Sequence, residues 1–215
     1  MTDTILYGYW RSSATYRLRI ALNLKRIAYR TVGVHLLKDE QTKPEHLARH
    51  PSGRVPILEI DGVRIGQSMA IVEYLDETRP DPALLPRDAA ARAHVRDLKD
   101  QIVADIHPLN NTSTLARLRA QFGADDAAVA AWYEHWITRG FHVLEQMLPS
   151  SGGFCVGDAP TLADIVLVPQ VANARRYPQI DLAPFPNILR IEAALRAIPA
   201  FRGAAPENQP EASAG

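Results

Sequence analysis

A small α/β domain followed by an all-helical one is the fold class this sequence predicts, and three observations carry it. Strand and helix patterns alternate over roughly the first 80 residues in the order β-α-β-(α)-β-β-α. A stretch rich in proline and aspartate, "RPDPALLPRD" at 79–88, then interrupts the pattern. Beyond it helical periodicity dominates from residue 89 to residue 203, and no strand pattern stands out.

The elements follow in order. Thr4 to Trp10 is rich in β-branched and aromatic residues and reads as a strand. Ala14, Leu18, Ala21 and Leu22 recur at helical spacing and predict an amphipathic helix over 13–25. Tyr29 to Leu36 reads as a second strand, and "KDEQTKPEHLARHP" as a mixture of short helix and loop. "RVPILEIDGVRI" holds two short apolar runs around Asp61-Gly62, a favoured tight turn, and predicts a hairpin. "GQSMAIVEYLDETRP" predicts a helix entered at Gln67-Ser68 and ended before Pro80. The organisation expected is a domain at 1–82, a linker at 83–88, a helical domain at 89–205 and a disordered tail at 206–215.

Composition limits the function classes. The 215 residues are 47% apolar and 22% charged, ordinary for a globular protein able to bury a sizeable core. Lys+Arg and Asp+Glu balance at 24 each, which disfavours a general role on nucleic acid or on an anionic membrane. A single cysteine, Cys155, excludes an internal disulfide and fits a reducing compartment. No stretch approaches the roughly 20 apolar residues of a membrane span, and "MTDTILYGYW" is no signal peptide. The expected location is the cytoplasm.

The turn between the first strand and first helix carries Ser12 and Ser13. One reading is an N-cap, a side-chain oxygen accepting from an unpaired backbone N–H of the first turn. The other uses the same electrostatics: a helix N-terminus stabilises a nearby anion and lowers the pKa of a thiol placed there. Thioredoxin-like proteins hold a Cys-x-x-Cys motif at this turn, whereas here the four residues are Ser12, Ser13, Ala14 and Thr15. Dithiol chemistry is excluded at this position, so any thiolate acting here must arrive on a bound molecule.

"RSSATYRLRIALNLK" resembles the N-terminal signature of zeta-class glutathione transferases, the family of the maleylacetoacetate and maleylpyruvate isomerases. "VPILEIDG", "QSMAIVEYLDE", "DIHPLNN", "GDAPTLADIVLVPQVANARRY" and "DLAPFPNI" extend the similarity over nearly the whole chain in matching order. The resemblance implies a thioredoxin-like α/β N-terminal domain, an all-α C-terminal domain, glutathione as cofactor, a homodimer and a small dicarboxylate substrate. It implies an isomerase that turns maleylacetoacetate into fumarylacetoacetate in aromatic amino-acid catabolism, by reversible thiolate addition to the cis double bond. A maleylpyruvate isomerase of aromatic-acid breakdown, a general glutathione-conjugating or dehalogenating transferase, and a non-catalytic module with this fold are the alternatives; retention of Ser12 with Arg176 argues against the last.

The resemblance also assigns residues. Ser12 would donate a hydrogen bond to the glutathione thiolate, with Ser13 beside it. Val55-Pro56 resembles the cis-proline of thioredoxin-like folds, whose preceding backbone is free to pair with a peptide; the alternative is a rigid turn. Gln67 and Ser68, at a second helix N-terminus, would hold the γ-glutamyl carboxylate, while Ser68 alone also reads as an N-cap. His107 and Asn111 at i,i+4 spacing, followed by Thr112 and Ser113, would face glutathione; a structural role is the alternative for the histidine. His46 and His50 share that spacing, lack a third ligand and read as solvated surface, so no metal is expected. Thr161 and Asp164 form a capping-box-like pair ahead of an apolar helix, and Cys155 reads as a packed small residue.

Arginines suit the remaining tasks, gripping carboxylates and stabilising developing negative charge. By the family pattern Arg176, the second arginine of "NARRY", would bind substrate, with Arg11 as the other carboxylate contact and Arg175 solvent-facing or auxiliary. Arg17 and Arg19 lie within the first helix, where ion pairs with neighbours compete with a functional role. The maleylpyruvate branch places an arginine shortly after the Asn-Asn pair, whereas this chain continues with neutral Thr112 and Ser113 and reaches its next arginine at Arg117. That difference favours maleylacetoacetate.

Overall fold

The structure is a computed structural model and describes residues 3–213. The chain divides into two compact units: one joins the residues up to Leu84 with those from Ala197 onward, the other spans Leu85–Arg196.

The first unit is built on a four-stranded mixed sheet of order β2-β1-β3-β4. β1 (Ile5–Gly8) runs parallel to β2 (Arg30–Gly33) through the crossover helix α1 (Ser13–Leu24). A short helix α2 (Pro44–Leu47) precedes β3 (Ile57–Ile60), which pairs antiparallel with β1 and with β4 (Val63–Gly66). The hairpin turns at Asp61 and Gly62, both at positive φ, as a tight turn of that type requires. Helix α3 (Ser68–Thr78) completes the expected order. Leu6, Leu18, Ile20, Leu22, Ile57, Leu58, Ile71 and Leu75 are fully buried where the helices cover the sheet.

The expected boundaries shift at both ends. Leu84, placed in the linker by the sequence, is 1% exposed and belongs to the first unit. The reason lies at Lys25, whose Nζ donates to Asp76 Oδ1 and to the carbonyls of Arg79 and Pro82 at 2.6–2.7 Å. The same Asp76 oxygen accepts the Leu84 N–H at 2.8 Å. Residues 197–205, assigned by the sequence to the helical domain, also join the first unit, because α9 (Pro199–Ala204) packs on α1. The tail expected to be disordered carries two 3-10 turns, Pro206–Asn208 and Pro210–Ser213, with Pro206 buried and Gln209 donating to the Gly203 and Ala205 carbonyls. Its last two residues lie outside the described ones.

The second unit is helical throughout. α4 (Ala89–Asp100) continues as a π-helical turn over Gln101–Ile106, followed by α5 (Thr112–Phe122), α6 (Asp126–Met147), α7 (Leu162–Ala174) and α8 (Pro186–Ala197). Every residue of α7 except Ala172 is buried, so this helix, apolar on all sides, is the unit's core. Its N-terminus realises the expected capping box. Asp164 accepts the Thr161 N–H and hydroxyl at 2.7 and 2.8 Å and also the Cys155 N–H at 2.8 Å.

Candidate active site

Register alone brings three segments to one end of the sheet. Tyr7 pairs with Ile57, and Ile57 pairs with Gly66. The turn after β1, the residues before β3 and the start of α3 are therefore neighbours. Gly8 permits the close approach of α1: a Cβ there would come within 2.4 Å of Thr15 Cγ2.

Ser12 is the N-cap of α1, half-buried, with its N–H on the Tyr9 carbonyl at 2.9 Å and its Oγ accepting the Thr15 N–H at 3.2 Å. The cap bond is compatible with the second reading of this serine, since a hydroxyl that accepts still has a proton to donate. Ser13 opens the helix and is buried; Arg11, before the cap, is exposed with its guanidinium 5.6 Å from the Trp10 ring centre. The Val55–Pro56 peptide is cis.

At α3 the N-cap is Gln67, not Ser68, and it has no side-chain cap bond. Gln67 sits at φ 64°, a conformation that costs a non-glycine residue about 1–2 kcal/mol and that clusters at ligand sites. Ser68, the first helical residue, is 6% exposed and its Oγ accepts from Arg17 Nη1 at 3.4 Å. Arg17 is the unexpected member. It is 1% exposed, and its Nε and Nη2 have no hydrogen-bond partner among the described residues. Burial pushes its pKa down to about 10. The ion pairs weighed for Arg17 and Arg19 are replaced by neutral acceptors: Ser68 for the first, the Ala204 and Trp10 carbonyls for the second.

In the second unit the helix does not run through His107 and Asn111, so they do not share a helix face. His107 caps the π-helical turn, residues 107–110 form a turn, and Asn111 is the N-cap of α5. Asn111 Oδ1 accepts from the Ser113 N–H at 3.1 Å and the Ser113 hydroxyl at 3.0 Å, and Thr112 and Ser113 are exposed. Arg176 follows the C-terminus of α7, exposed, and its charge is felt by the buried Tyr133 phenol. Burial nonetheless holds that phenol protonated well above its ordinary range, and its ring stacks on Tyr177 with centres 3.9 Å apart. Arg175, exposed, pairs with Glu192 at 2.8 Å.

His46 departs from the solvated surface expected of it: it is 1% exposed with Nε2 2.9 Å from the Arg54 carbonyl. Among the described residues no group of three or more His, Cys, Asp or Glu side chains is arranged to hold a metal.

The glutathione S-transferase N-terminal domain family matches residues 2–77, and the corresponding C-terminal domain family residues 113–194. A probable maleylacetoacetate isomerase of Vibrio cholerae is 49% identical over 99% of this chain and 100% of its own. The holo structure of a maleylpyruvate isomerase, described as a bacterial zeta-class glutathione S-transferase, superposes with TM-score 0.93 at 48% identity, covering 96% of this chain and 99% of that one. A maleylacetoacetate isomerase of Methylobacterium extorquens with bound malonate and GSH superposes at 0.92 with 37% identity, covering 96% and 98%. The chain belongs to the zeta-class glutathione transferases.

For this transferase, sequence reasoning weighed Arg17 only against an ion pair and passed over Tyr133. A signal for the arginine was present: from Thr4 to Lys38 the chain contains no Asp or Glu, so no acid lies within helical reach of Arg17 or Arg19. Tyr133 had no such signal, since its place beside Arg176 and Tyr177 is a product of packing.

Proposed function

We propose that this transferase is a glutathione-dependent cis–trans isomerase that converts maleylacetoacetate to fumarylacetoacetate. The carrying observation is that one unit holds a helix N-terminus capped by a serine with a proton to give and, beside a second helix N-terminus, a buried cation that has no ion-pair partner among the described residues. A tripeptide with a thiol and a free α-carboxylate fits both. The orphaned Nε and Nη2 of Arg17 match the two oxygens of a carboxylate, and leaving them unmatched is costly for a buried charge.

Glutathione, when bound, supplies the thiolate that adds to the double bond and later leaves it. This chain's residues hold and poise it. Ser12 and the amide dipoles of the α1 N-terminus favour the thiolate, with Ser13 adjacent. The Val55 backbone next to Pro56 pairs with the peptide, and Gln67, Ser68 and Arg17 take the γ-glutamyl carboxylate. His107, Thr112, Ser113 and the Asn111 amide NH2 add polar contacts to the same cofactor. Arg11 and Arg176 bind the substrate's carboxylates and offset charge that develops on its oxygen. The protein acts as a homodimer in the cytoplasm; no helix among the described residues is long and apolar enough to cross a membrane.

Maleylpyruvate is the second reading, favoured by the 48% identity to a maleylpyruvate isomerase. Thr112 and Ser113 argue against it. One charge-assisted hydrogen bond missing from a site for the shorter dianion is worth about 1.5–3 kcal/mol, ten- to a hundredfold in selectivity. The test is kcat/KM for both substrates with glutathione present. Maleylacetoacetate is expected to be the better one, with Ser113→Arg moving the ratio toward maleylpyruvate. Faster turnover of maleylpyruvate by the unmodified protein overturns the assignment.

A further inference from the structure

Arg19 is 1% exposed, has no carboxylate at ion-pair distance among the described residues, and yet spans two separate parts of the chain. Its Nε donates to the Ala204 carbonyl at 2.7 Å and its Nη2 to the Trp10 carbonyl at 3.1 Å. Ala204 is the last residue of α9, where helix carbonyls lack partners of their own. Trp10 lies in the turn between β1 and α1, one residue before Arg11 and two before Ser12. Two more side chains of α1 hold the same helix: Asn23 Nδ2 donates to the Ala200 carbonyl at 3.0 Å and the Tyr16 hydroxyl to that of Phe201 at 3.5 Å. The Arg19 guanidinium also lies 5.5 Å from the Tyr16 ring centre.

A buried cation satisfied only by carbonyls is a poor way to gain stability, because its desolvation is not offset by an opposite charge at contact distance. What a planar guanidinium offers instead is fixed geometry between two acceptors. The peptide group whose oxygen it holds is the one that joins Trp10 to Arg11. Glu207 and Glu211 contribute favourable charge at longer range, so the chain beyond α9 supports the same arginine.

We propose that residues 197–213 brace the active-site turn through Arg19, which acts as a positioning residue for Ser12 and Arg11. The brace rests on the reading that Ser12 stabilises the glutathione thiolate. It explains why the C-terminal segment is part of the first unit, and why an arginine occupies the buried face of α1 where a leucine would pack.

The test titrates the bound glutathione thiol by its ultraviolet absorbance in the unmodified protein, Arg19→Gln, Arg19→Lys, Ser12→Ala and the Ser12→Ala/Arg19→Gln double variant. Amide hydrogen exchange at residues 11–14 is followed without glutathione. Arg19→Gln is expected to raise the thiol pKa by about 0.5–1 unit. It should also speed exchange at residues 11–14, while glutathione affinity stays within roughly threefold. Arg19→Lys keeps charge and donors and should fall between the two; it decides the test alone if Arg19→Gln does not fold. The double variant should titrate like Ser12→Ala, because the arginine works through the serine. Lower thermal stability with wild-type titration and exchange in both Arg19 variants overturns the brace. Additive shifts in the double variant also overturn it, assigning Arg19 a direct charge effect. An unchanged titration in Ser12→Ala refutes the underlying reading instead.

Discussion

The Ser12 hydroxyl accepts the Thr15 N–H at 3.2 Å, which leaves its proton for a second acceptor, and a thiolate is the acceptor the family supplies. Ser12→Ala is expected to raise the pKa of the bound thiol by about one unit or more, equivalent to roughly 1.4 kcal/mol, with a smaller loss of glutathione affinity. Ultraviolet titration of the bound thiolate measures it, and an unchanged curve would leave Ser12 as a cap only. Arg17 poses the opposite question, a charge with too few partners. Its folded pKa near 10 lies below the ordinary guanidinium range, so the folded state releases this proton more readily. The resulting contribution to stability appears only as pH rises through about 10, and at neutral pH burying the charge costs on the order of 3 kcal/mol. Arg17→Met should therefore leave the ligand-free protein as stable or more so. It should weaken glutathione binding about ten- to a hundredfold. Thermal shifts with and without glutathione test both halves; a destabilised protein with intact affinity would make Arg17 structural.

Helix ends do much of the organising at the next scale up. α7 starts on a carboxylate shared by three donors, and Asp164 is fully buried there. Burial raises its pKa in spite of those bonds, so between 3.8 and the raised value the folded state holds more protons than the unfolded one. Its contribution is greatest below 3.8 and shrinks as pH rises through the raised value. Asp164→Asn turns one acceptor into a donor facing donors, and a loss of about 2–4 kcal/mol is expected. Urea unfolding at pH 4 and pH 7 should show the larger loss at the lower pH. α3 and α5 begin instead on residues proposed to hold glutathione, Gln67 and Asn111, so on that proposal the N-cap positions are also the binding positions. At Ser12 and Ser68 this overlap is why local sequence reasoning left both readings open.

On the scale of the whole molecule, the balanced charge of 24 against 24 gives no long-range field that would oppose self-association. Sedimentation at micromolar concentration is expected to show a dimer, and a fully active monomer would refute it. The first unit is closed by both parts of the chain, residues 3–84 and 197–213, so its stability depends on contacts made across nearly the full sequence. Such contacts carry a loop-closure cost that local patterns do not report.

Periodicity and turn chemistry were enough for the element order, the Asp61-Gly62 hairpin and the capping box at Thr161, because each depends on neighbours within a few residues. Motif order was enough for the family. Tertiary structure alone decided that His46 is buried, that His107 and Asn111 are separated by a turn, and that α9 returns to the first unit. It alone decided that Arg17 and Arg19 face opposite demands, one toward Ser68 and one toward two carbonyls. The physical reason is common to all of these. A side chain's burial and partners are set by what folds against it, and for α1 those partners come from α3 and from the far end of the chain.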